Sequence, residues 1–368
     1  MKENLFTHLE VNIPNIKHNL RYFRSFLKEE TKILILVKAN GYGHGTGEFS
    51  RILEEIGVDY LAVASSMEGI AIKEAGVKLP VIVLSPGMEE YPLLLQHGLE
   101  PSLPCTEAFL RFVKEAELLG KKAYPVHIKL DTGMHRLGFK KDELEDLAAY
   151  LPNAKSVQIA SVFSHFAASP APEHDEYSKL QMALFEDLSS FLLKQLDYKP
   201  LRHLLNSPGI ERFAKEAEYD MVRLGIGLYG MSCIDNSLLK PTAFLRTPVL
   251  QVKTLAPGET VGYVRAGLVK DAPARIATLA IGYADGVNRH LSGGKAHFSV
   301  HGHRVPTIGN VCMDMCMVDV TDIDVKPGDM VTIFGEDPTI FELAEILGTI
   351  PYEILTSVAH RVHRVFKK

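Results

Sequence analysis

The sequence has few cysteines, no long apolar segment and no excess of positive charge, which argues against disulfide-rich, membrane-spanning and nucleic-acid-binding proteins. Only four cysteines occur in 368 residues, so we expect free thiols in a reducing cytoplasm rather than a disulfide framework. No stretch approaches the ~18 consecutive apolar residues that a membrane span needs, and the N-terminal MKENLFTHLEVN lacks the apolar core of a signal peptide. The net charge is −5, with both signs spread along the chain, which argues against nucleic acid as the main partner.

A metal centre is not expected either. Cys312 and Cys316 lie close together in an apolar run, but no second Cys or His cluster stands near them in the sequence. Hydrophobic residues make up 46% of the chain and charged residues 23%, as in ordinary globular proteins. The length fits two domains, or one large barrel with an appendage.

Residues 11–237 alternate between short apolar runs and segments of helical periodicity. Eight runs are typical of buried strands: ILILV, YLAV, VIVL, LEPSL, VHIKL, VQIASVF, RHLL and MVRL. Alternating strands and helices in this number predict an α/β protein with an N-terminal (β/α)8 TIM-like barrel. A doubly wound parallel sheet is the alternative, because the sequence does not give the order of the strands.

Residues 238–368 have a different pattern. Strand-like runs such as ARIATLAI and DMVTIFG are separated by turn signals such as PGE, SGG and KPGD, with a short helix near FELAEIL. We therefore predict a mainly-β C-terminal domain over 238–368, to which an N-terminal strand in residues 1–10 also belongs.

Polar side chains follow several of the predicted barrel strands. The carboxyl ends of barrel strands face the active site in this fold, and these ends carry Lys38, Lys129, Asp131, His165, Asn206, Ser207 and Arg223. Any one of these residues could be a cap or half of a salt bridge. Several polar groups that converge on one barrel mouth instead predict an active site.

Lys38 is the most informative of them, because it ends a buried run and is followed at once by a glycine-rich turn. A lysine desolvated at a barrel mouth has a lowered pKa and can form a Schiff base. RLGIG, residues 223–227, offers backbone N–H groups where such barrels bind phosphate, and Ser207 could add a hydroxyl. Lysine beside a phosphate cup indicates pyridoxal 5′-phosphate (PLP); an aldolase-type enzyme is the competing interpretation.

The motifs of the chain resemble, in order, those of the alanine racemase family of fold-type III PLP enzymes. They are VKANGYGHG, IKLDTGMHRLG, FSHFAAS, HLLNS, MVRLGIGLYG, TVGY, IGYADG, IGNVCMDM and PYEIL. The resemblance covers nearly the whole chain. It implies a cytoplasmic homodimer with shared active sites that interconverts L- and D-alanine and so supplies D-alanine for peptidoglycan.

The resemblance also implies a role for each matching residue. Lys38 would hold the cofactor and act as one catalytic base, and Tyr263 of the second subunit would be the other. The cofactor would be bound by Tyr42, His165, Asn206, Ser207, Arg223, Gly225, Ile226 and Tyr352. Arg136 and the backbone N–H of Met313 would hold the substrate carboxylate. Supporting roles fall to Lys129 (carbamylated, orienting Arg136), His203 (holding Arg223), Tyr283 (narrowing the entry) and Asp314.

An arginine at the pyridine nitrogen is chemically informative. A guanidinium does not give up a proton to the ring, so the ring stays neutral and is a weaker electron sink. That property disfavours transamination and suits a racemase. The chain departs from the family pattern at Gly41, at Val264 and at His363, where alanine, glycine and proline are usual, and none of these changes removes a catalytic group.

Other functions are compatible with parts of the pattern. A racemase of another small amino acid, such as serine, would need the same two bases. A non-catalytic PLP-binding protein could consist of a barrel with Lys38 and the phosphate cup, but would lack the β domain that carries Tyr263 and Met313. A PLP-dependent decarboxylase shares the barrel, but the motifs follow the racemase order.

Overall fold

The structure is a computed structural model that describes residues 6–368. Strands and helices are numbered separately in chain order. The strands are β1 (His8–Asn12), β2 (Lys32–Leu36), β3 (Tyr60–Val63), β4 (Val81–Val83), β5 (Glu100–Leu103), β6 (Tyr124–Lys129), β7 (Val157–Phe163), β8 (Leu201–His203), β9 (Met221–Leu224), β10 (Ala243–Leu255), β11 (Thr260–Val261), β12 (Gly267–Leu268), β13 (Ala274–Leu279), β14 (His297–Val300), β15 (His303–Pro306), β16 (Cys316–Asp319), β17 (Met330–Phe334) and β18 (His363–Lys367). The helices are α1 (Ile13–Arg24), α2 (Lys38–Tyr42), α3 (Gly47–Ile56), α4 (Ser66–Glu74), α5 (Tyr91–His97), α6 (Thr106–Leu118), α7 (Lys141–Tyr150), α8 (Asp175–Leu193), α9 (Ser207–Ala217), α10 (Ile340–Leu347) and α11 (Pro351–Thr356).

The chain forms two compact units. The barrel unit comprises Lys17–Gly41 and Thr46–Leu239, and the β unit comprises the residues up to Ile16, Tyr42–Gly45 and Lys240–Lys368. The domain limits 11–237 and 238–368 that we infer from the sequence stay a prediction.

The barrel unit is built on the parallel strands β2–β9. Their order in the sheet is β8-β7-β6-β5-β4-β3-β2-β9, so neighbours in sequence are neighbours in space. β9 also lies against β8, because the Arg223 N–H donates to the Leu205 carbonyl at 2.9 Å and the Asp220 N–H to the Arg202 carbonyl at 3.0 Å. The predicted barrel is therefore confirmed, and the doubly wound alternative is wrong.

The predicted apolar runs became these strands because both faces of a barrel strand are buried. In β3, β4 and β9 nearly every residue is inaccessible to solvent, as parallel strands covered by helices require. The polar residues at the strand ends are thereby brought to one rim of the barrel, which is where the active sites of this fold lie.

The β unit confirms the mainly-β prediction. Its sheet has the order β15-β14-β17-β10-β1-β18, with β13 joining β10 to β16. β1 pairs antiparallel with β10 and parallel with β18. The predicted N-terminal strand covers residues 1–10, of which residues 1–5 lie outside the described part of the chain. The short helix predicted near FELAEIL is α10, and its N-terminus is capped by the Thr339 side chain, which accepts from the Glu342 N–H at 3.2 Å.

Within residues 6–368, none of the helices combines the length and apolar character needed to cross a membrane. The same residues contain no cluster of three or more His, Cys, Asp or Glu side chains arranged to hold a metal ion.

Candidate active site

Lys38 is followed by a tight turn whose backbone is in the left-handed conformation, which L-amino acids rarely adopt. The three residues after it, Ala39, Asn40 and Gly41, have φ values of 52°, 55° and 60°, and a left-handed conformation costs ~1–2 kcal/mol for each residue other than glycine. Hydrogen bonds offset this cost: the Ala39 N–H donates to Glu68 Oε1 at 2.6 Å, and Thr46 Oγ1 donates to Asn40 Oδ1 at 2.9 Å. The turn holds Lys38 at the rim of the barrel.

Four cations act on one another at this rim: Lys38, Lys129, Arg136 and Arg223. Burial lowers the pKa of Lys38 and Arg136 lowers it further. His165, two residues beyond β7, has a pKa well below its usual range because it is buried and faces all four cations. His165 therefore stays uncharged and adds no further positive charge, and the four cations favour anionic ligands at this rim.

Lys129, the last residue of β6, is the most perturbed lysine of the cluster. Burial, Arg136 and Arg223 together lower its pKa to about 8. Asp131 is close by, but its carboxylate accepts hydrogen bonds from the backbone of Gly133 at 3.0 Å and of His135 at 2.9 Å. About a tenth of the Lys129 amine is therefore uncharged at pH 7, far more than for an ordinary lysine, and the uncharged amine is the form that reacts with carbon dioxide.

The Arg223 side chain of β9 is fixed by hydrogen bonds from both terminal nitrogens of its guanidinium group. Nη1 donates to His203 Nδ1 at 2.8 Å and to the His203 carbonyl at 3.1 Å. Nη2 donates to the carbonyls of Ser164 at 2.5 Å and Leu204 at 2.9 Å. Burial lowers the Arg223 pKa to about 9, which still leaves the guanidinium charged at neutral pH. Among residues 6–368, no hydrogen bond uses its Nε, which remains as a donor for a ligand.

A cup of backbone N–H groups lies beside the N-terminus of α9. Asn206 caps this helix, its side chain accepting from the Gly209 N–H at 2.9 Å. Ser207 Oγ accepts from the N–H groups of Gly225 at 3.0 Å and Gly227 at 3.1 Å, so the RLGIG turn that contains Ile226 folds over the helix start. Helix N-termini and turns of this kind bind phosphate.

In the β unit, Tyr42 and Tyr352 lie together. Their ring centroids are 6.2 Å apart and the rings are tilted by 47°. Tyr352 lies in the first turn of α11. Burial raises the Tyr42 pKa, so its phenol keeps its proton at neutral pH.

Tyr263 lies on an exposed turn of the β unit between β11 and β12. Its side chain is 72% exposed, and the turn borders a cavity of about 540 Å³ that Met313 also lines. Val264, where the family often has glycine, has a φ of 53°, a conformation that is rare for a β-branched residue. The substitution therefore keeps the glycine-type turn and leaves the Tyr263 side chain at the surface.

Two further segments of the β unit are locked together. The Tyr283 N–H donates to the Cys312 carbonyl at 2.9 Å and the Ala284 N–H to the Met313 carbonyl at 3.0 Å. Arg361 reinforces the pair, because Nε donates to Asp285 and Nη2 to Asp314, each at 2.7 Å. Asp314 thus anchors the segment that carries Met313.

The sequence-predicted residues fall into two sets. Lys38, Lys129, Arg136, His165, His203, Asn206, Ser207, Arg223, Gly225 and Ile226 belong to the barrel unit, whereas Tyr42, Tyr263, Tyr283, Met313, Asp314 and Tyr352 belong to the β unit. The sequence reasoning missed Glu68 and Arg361, which hold the Lys38 turn and the Met313 segment. Neither stands at a strand end or in one of the recognised motifs.

Two family models match the chain. The model for the alanine racemase N-terminal domain matches residues 11–233, and the model for the C-terminal domain matches residues 242–366.

Relatives of similar length also match. The chain is 37% identical to alanine racemase 2 of Caldanaerobacter subterraneus subsp. tengcongensis, over 98% of this chain and 94% of the relative. It is 39% identical to alanine racemase of Carboxydothermus hydrogenoformans, over 97% of this chain and 98% of the relative.

Solved structures match with the same coverage. Alanine racemase of Clostridium difficile 630 superposes with a TM-score of 0.92 at 32% identity, over 99% of this chain and 96% of that one. Alanine racemase of Bartonella henselae, solved with covalently bound pyridoxal phosphate, superposes with a TM-score of 0.85 at 30% identity, over 98% of this chain and 99% of that one. Since both halves of the sequence match, the chain belongs to the alanine racemase family of PLP-dependent enzymes.

Proposed function

We propose that this protein is an alanine racemase that binds PLP on Lys38 and interconverts L- and D-alanine. The observation that carries the proposal is the convergence of Lys38 with Lys129, Arg136 and Arg223 at one rim of the barrel. A lysine of lowered pKa among cations suits a covalent bond to a cofactor that carries a phosphate and acts on amino-acid carboxylates.

The residues at this rim fit PLP. Ser207, the start of α9 and the N–H groups of Gly225 and Ile226 would hold the phosphate; the family resemblance assigns Tyr42 and Tyr352 to the same group. Arg223 would donate to the pyridine nitrogen through Nε, with His165 against the ring and Asn206 capping the helix that meets the phosphate. When bound, PLP withdraws electrons from the amino acid and makes its Cα–H acidic.

Racemisation requires a proton to leave one face of Cα and another to arrive on the opposite face. Lys38 would hold and move the proton on one face, and the lowered pKa of Lys38 makes its neutral, basic form more available. Tyr263 of the partner subunit would serve the other face. Two separate groups allow both enantiomers to be processed without either base crossing the substrate plane.

Arg136 and the N–H of Met313 would bind the substrate carboxylate. Arg136 sits among like charges, and a carbamate on Lys129 would turn a repelling cation into an anion that orients the guanidinium. The lowered pKa of Lys129 supports this modification. Tyr283 and Asp314 would narrow the entry and fix the Met313 segment.

We further propose a homodimer in which each site takes Tyr263 and Met313 from the other chain. The high exposure of both side chains, 72% and 54%, on the rim of one cavity supports an interface there. The enzyme would supply D-alanine for peptidoglycan in the cytoplasm, a location that the four free thiols favour.

The first prediction concerns the attachment of the cofactor. Protein saturated with PLP and reduced with borohydride should yield one modified peptide, with the cofactor on Lys38, because burial and Arg136 make this lysine nucleophilic. Peptide mass mapping provides the measurement, and Lys38→Arg should abolish the label. Lys73, also half-buried with a lowered pKa, is the internal control and should stay unmodified. Labelling on other lysines only would contradict the proposal.

The second prediction concerns the shared site. Lys38→Ala and Tyr263→Phe homodimers should each lose nearly all racemase activity, because each lacks one base in both sites. After subunit exchange, half of the dimers are mixed and each mixed dimer has one intact site, so about a quarter of wild-type activity should return.

Two controls define this experiment. Exchange between two differently tagged Lys38→Ala preparations should restore nothing, and Tyr150→Phe, at an exposed tyrosine of α7, should keep full activity. If native mass spectrometry verifies exchange and the mixture stays at background, Tyr263 does not act across subunits.

The third prediction concerns Lys129. Protein equilibrated with ¹³C-bicarbonate should show a carbamate carbon signal in its NMR spectrum that Lys129→Ala removes and Lys73→Ala retains. Because Arg136 then loses its anionic partner, Lys129→Ala should raise the KM for alanine about tenfold. Acetate in the buffer should recover part of this loss. An unchanged KM, or a carbamate signal that survives the substitution, would refute the assignment.

A further inference from the structure

A chain of buried polar side chains continues from Arg223 through the interior of the barrel. Beyond His203, the Nε2 atom of that histidine lies 2.8 Å from Ser161 Oγ, which lies 2.6 Å from His127 Nδ1. His127 Nε2 in turn lies 2.8 Å from a carboxylate oxygen of Glu100. Barrel interiors are usually filled by branched apolar residues, so this polar path is an exception that needs a reason.

The path crosses the barrel from one rim to the other. Arg223, His203, Ser161, His127 and Glu100 lie on the successive strands β9, β8, β7, β6 and β5. His203 is the last residue of its strand and Glu100 the first of its own. Ser161 and His127 are completely buried. The chain therefore links the rim that carries Lys38 to the opposite end of the barrel.

The two ends of the chain fix the direction of every hydrogen bond in it. The Arg223 guanidinium can only donate, so His203 Nδ1 must accept and the proton of neutral His203 lies on Nε2. That N–H donates to Ser161 Oγ. The described contacts of the Ser161 hydroxyl are these two histidines, so its own hydrogen is donated to His127 Nδ1. His127 then carries its proton on Nε2 and donates to Glu100.

Reversing this direction would require moving one proton from Arg223 to Glu100. Burial and the Arg223 charge hold the His203 pKa well below its usual range, so a second proton on His203 is also opposed. Stacking of the His203 ring on Phe163, with centroids 5.0 Å apart and planes 10° apart, prevents the ring from turning over freely. The arrangement has one stable proton pattern.

We propose that Ser161, His127 and Glu100 are positioning residues: they accept, through Ser161, the Nε2–H that Arg223 selects on His203, and so lock the His203 ring and hold Arg223 toward the cofactor. The proposal rests on the function proposed above, since it concerns the guanidinium assigned to the pyridine nitrogen. Glu100 is the remote acceptor at which this chain of hydrogen bonds ends. Without it, His127 can adopt either tautomer and Ser161 loses its obligatory role as a donor.

Three side chains besides His127 face Glu100. They are Tyr60 of β3, Lys73 of α4 and Tyr124 of β6. Burial, followed by the Glu100 charge, raises the pKa of both tyrosines, and the Glu100 charge opposes the lowering effect of burial on the Lys73 pKa. The Tyr124 hydroxyl donates to the Leu99 carbonyl at 2.9 Å, and Lys73 Nζ to the Leu79 carbonyl at 2.7 Å. His127 is thus the donor that reaches the Glu100 carboxylate from inside the barrel.

The test compares two serines of the same barrel. Ser161→Ala breaks the chain at its centre, whereas Ser102→Ala removes a buried hydroxyl of β5 that has no hydrogen-bond partner in the described structure. In ¹⁵N-histidine-labelled protein carrying PLP, the Nε2–H protons of His127 and His203 should give downfield, slowly exchanging NMR signals. Ser161→Ala should remove the His203 signal and keep that of His127; Ser102→Ala should keep both.

Kinetics supply the second readout. Ser161→Ala should lower kcat for alanine about tenfold and leave KM within about twofold, because Arg223 acts on the cofactor ring and not on the substrate carboxylate. Glu100→Leu should lower kcat in the same way, while Glu100→Gln, whose amide oxygen still accepts from His127, should retain both the NMR signals and kcat. If Ser161→Ala does not fold, the comparison of Glu100→Leu with Glu100→Gln tests the proposal instead.

Two results would overturn the inference. One is a His203 signal that survives Ser161→Ala, which would mean that the chain is not connected as described. The other is loss of that signal with kcat equal to that of Ser102→Ala, which would remove the positioning role. Protein that shows the predicted NMR pattern but racemises no amino acid would refute the proposed function and leave the hydrogen-bond chain intact.

Discussion

Mutual repulsion among four cations at one rim of the barrel is the constraint on which the rest of the site depends. Lys38 is half-buried, Lys129 and Arg223 are buried and Arg136 is exposed, and the charge of Arg136 acts on both lysines. Such an arrangement is unfavourable without anions. The cost falls as lysines lose protons, which makes them reactive, and as anionic groups bind. Reactivity and ligand preference therefore have a single electrostatic origin.

The surrounding structure keeps these groups from relaxing away from one another. The left-handed turn after Lys38 is held by the Glu68 carboxylate, and the Arg223 guanidinium is held by carbonyls of Ser164 and Leu204. Each anchor lies on a strand-end loop or on an adjacent helix of the barrel. Preorganised charges of this kind need little rearrangement when a ligand binds.

Much of this organisation was predictable from the sequence, for physical reasons. Buried parallel strands are nearly continuous apolar runs, and the barrel brings the residues that follow them to one rim, so Lys38, His165 and Arg223 could be identified. Contacts between residues that are far apart in the sequence could not be predicted in this way. Nothing in the sequence distinguishes Ser161, His127 and Glu100 from ordinary strand residues, because their contacts arise only when the barrel places their strands side by side. The contacts of Arg361 with Asp285 and Asp314 likewise join segments far apart in the sequence.

Proton exchange at Cα tests the two-base account most directly. L-alanine incubated with the enzyme in D₂O should give D-alanine that carries deuterium at Cα from the earliest turnovers, because the proton that arrives comes from a different group than the one that left. Chiral chromatography with mass detection measures both enantiomers. D-alanine that retains the original protium would show that a single base serves both faces, and absence of D-alanine would contradict the assignment as a racemase.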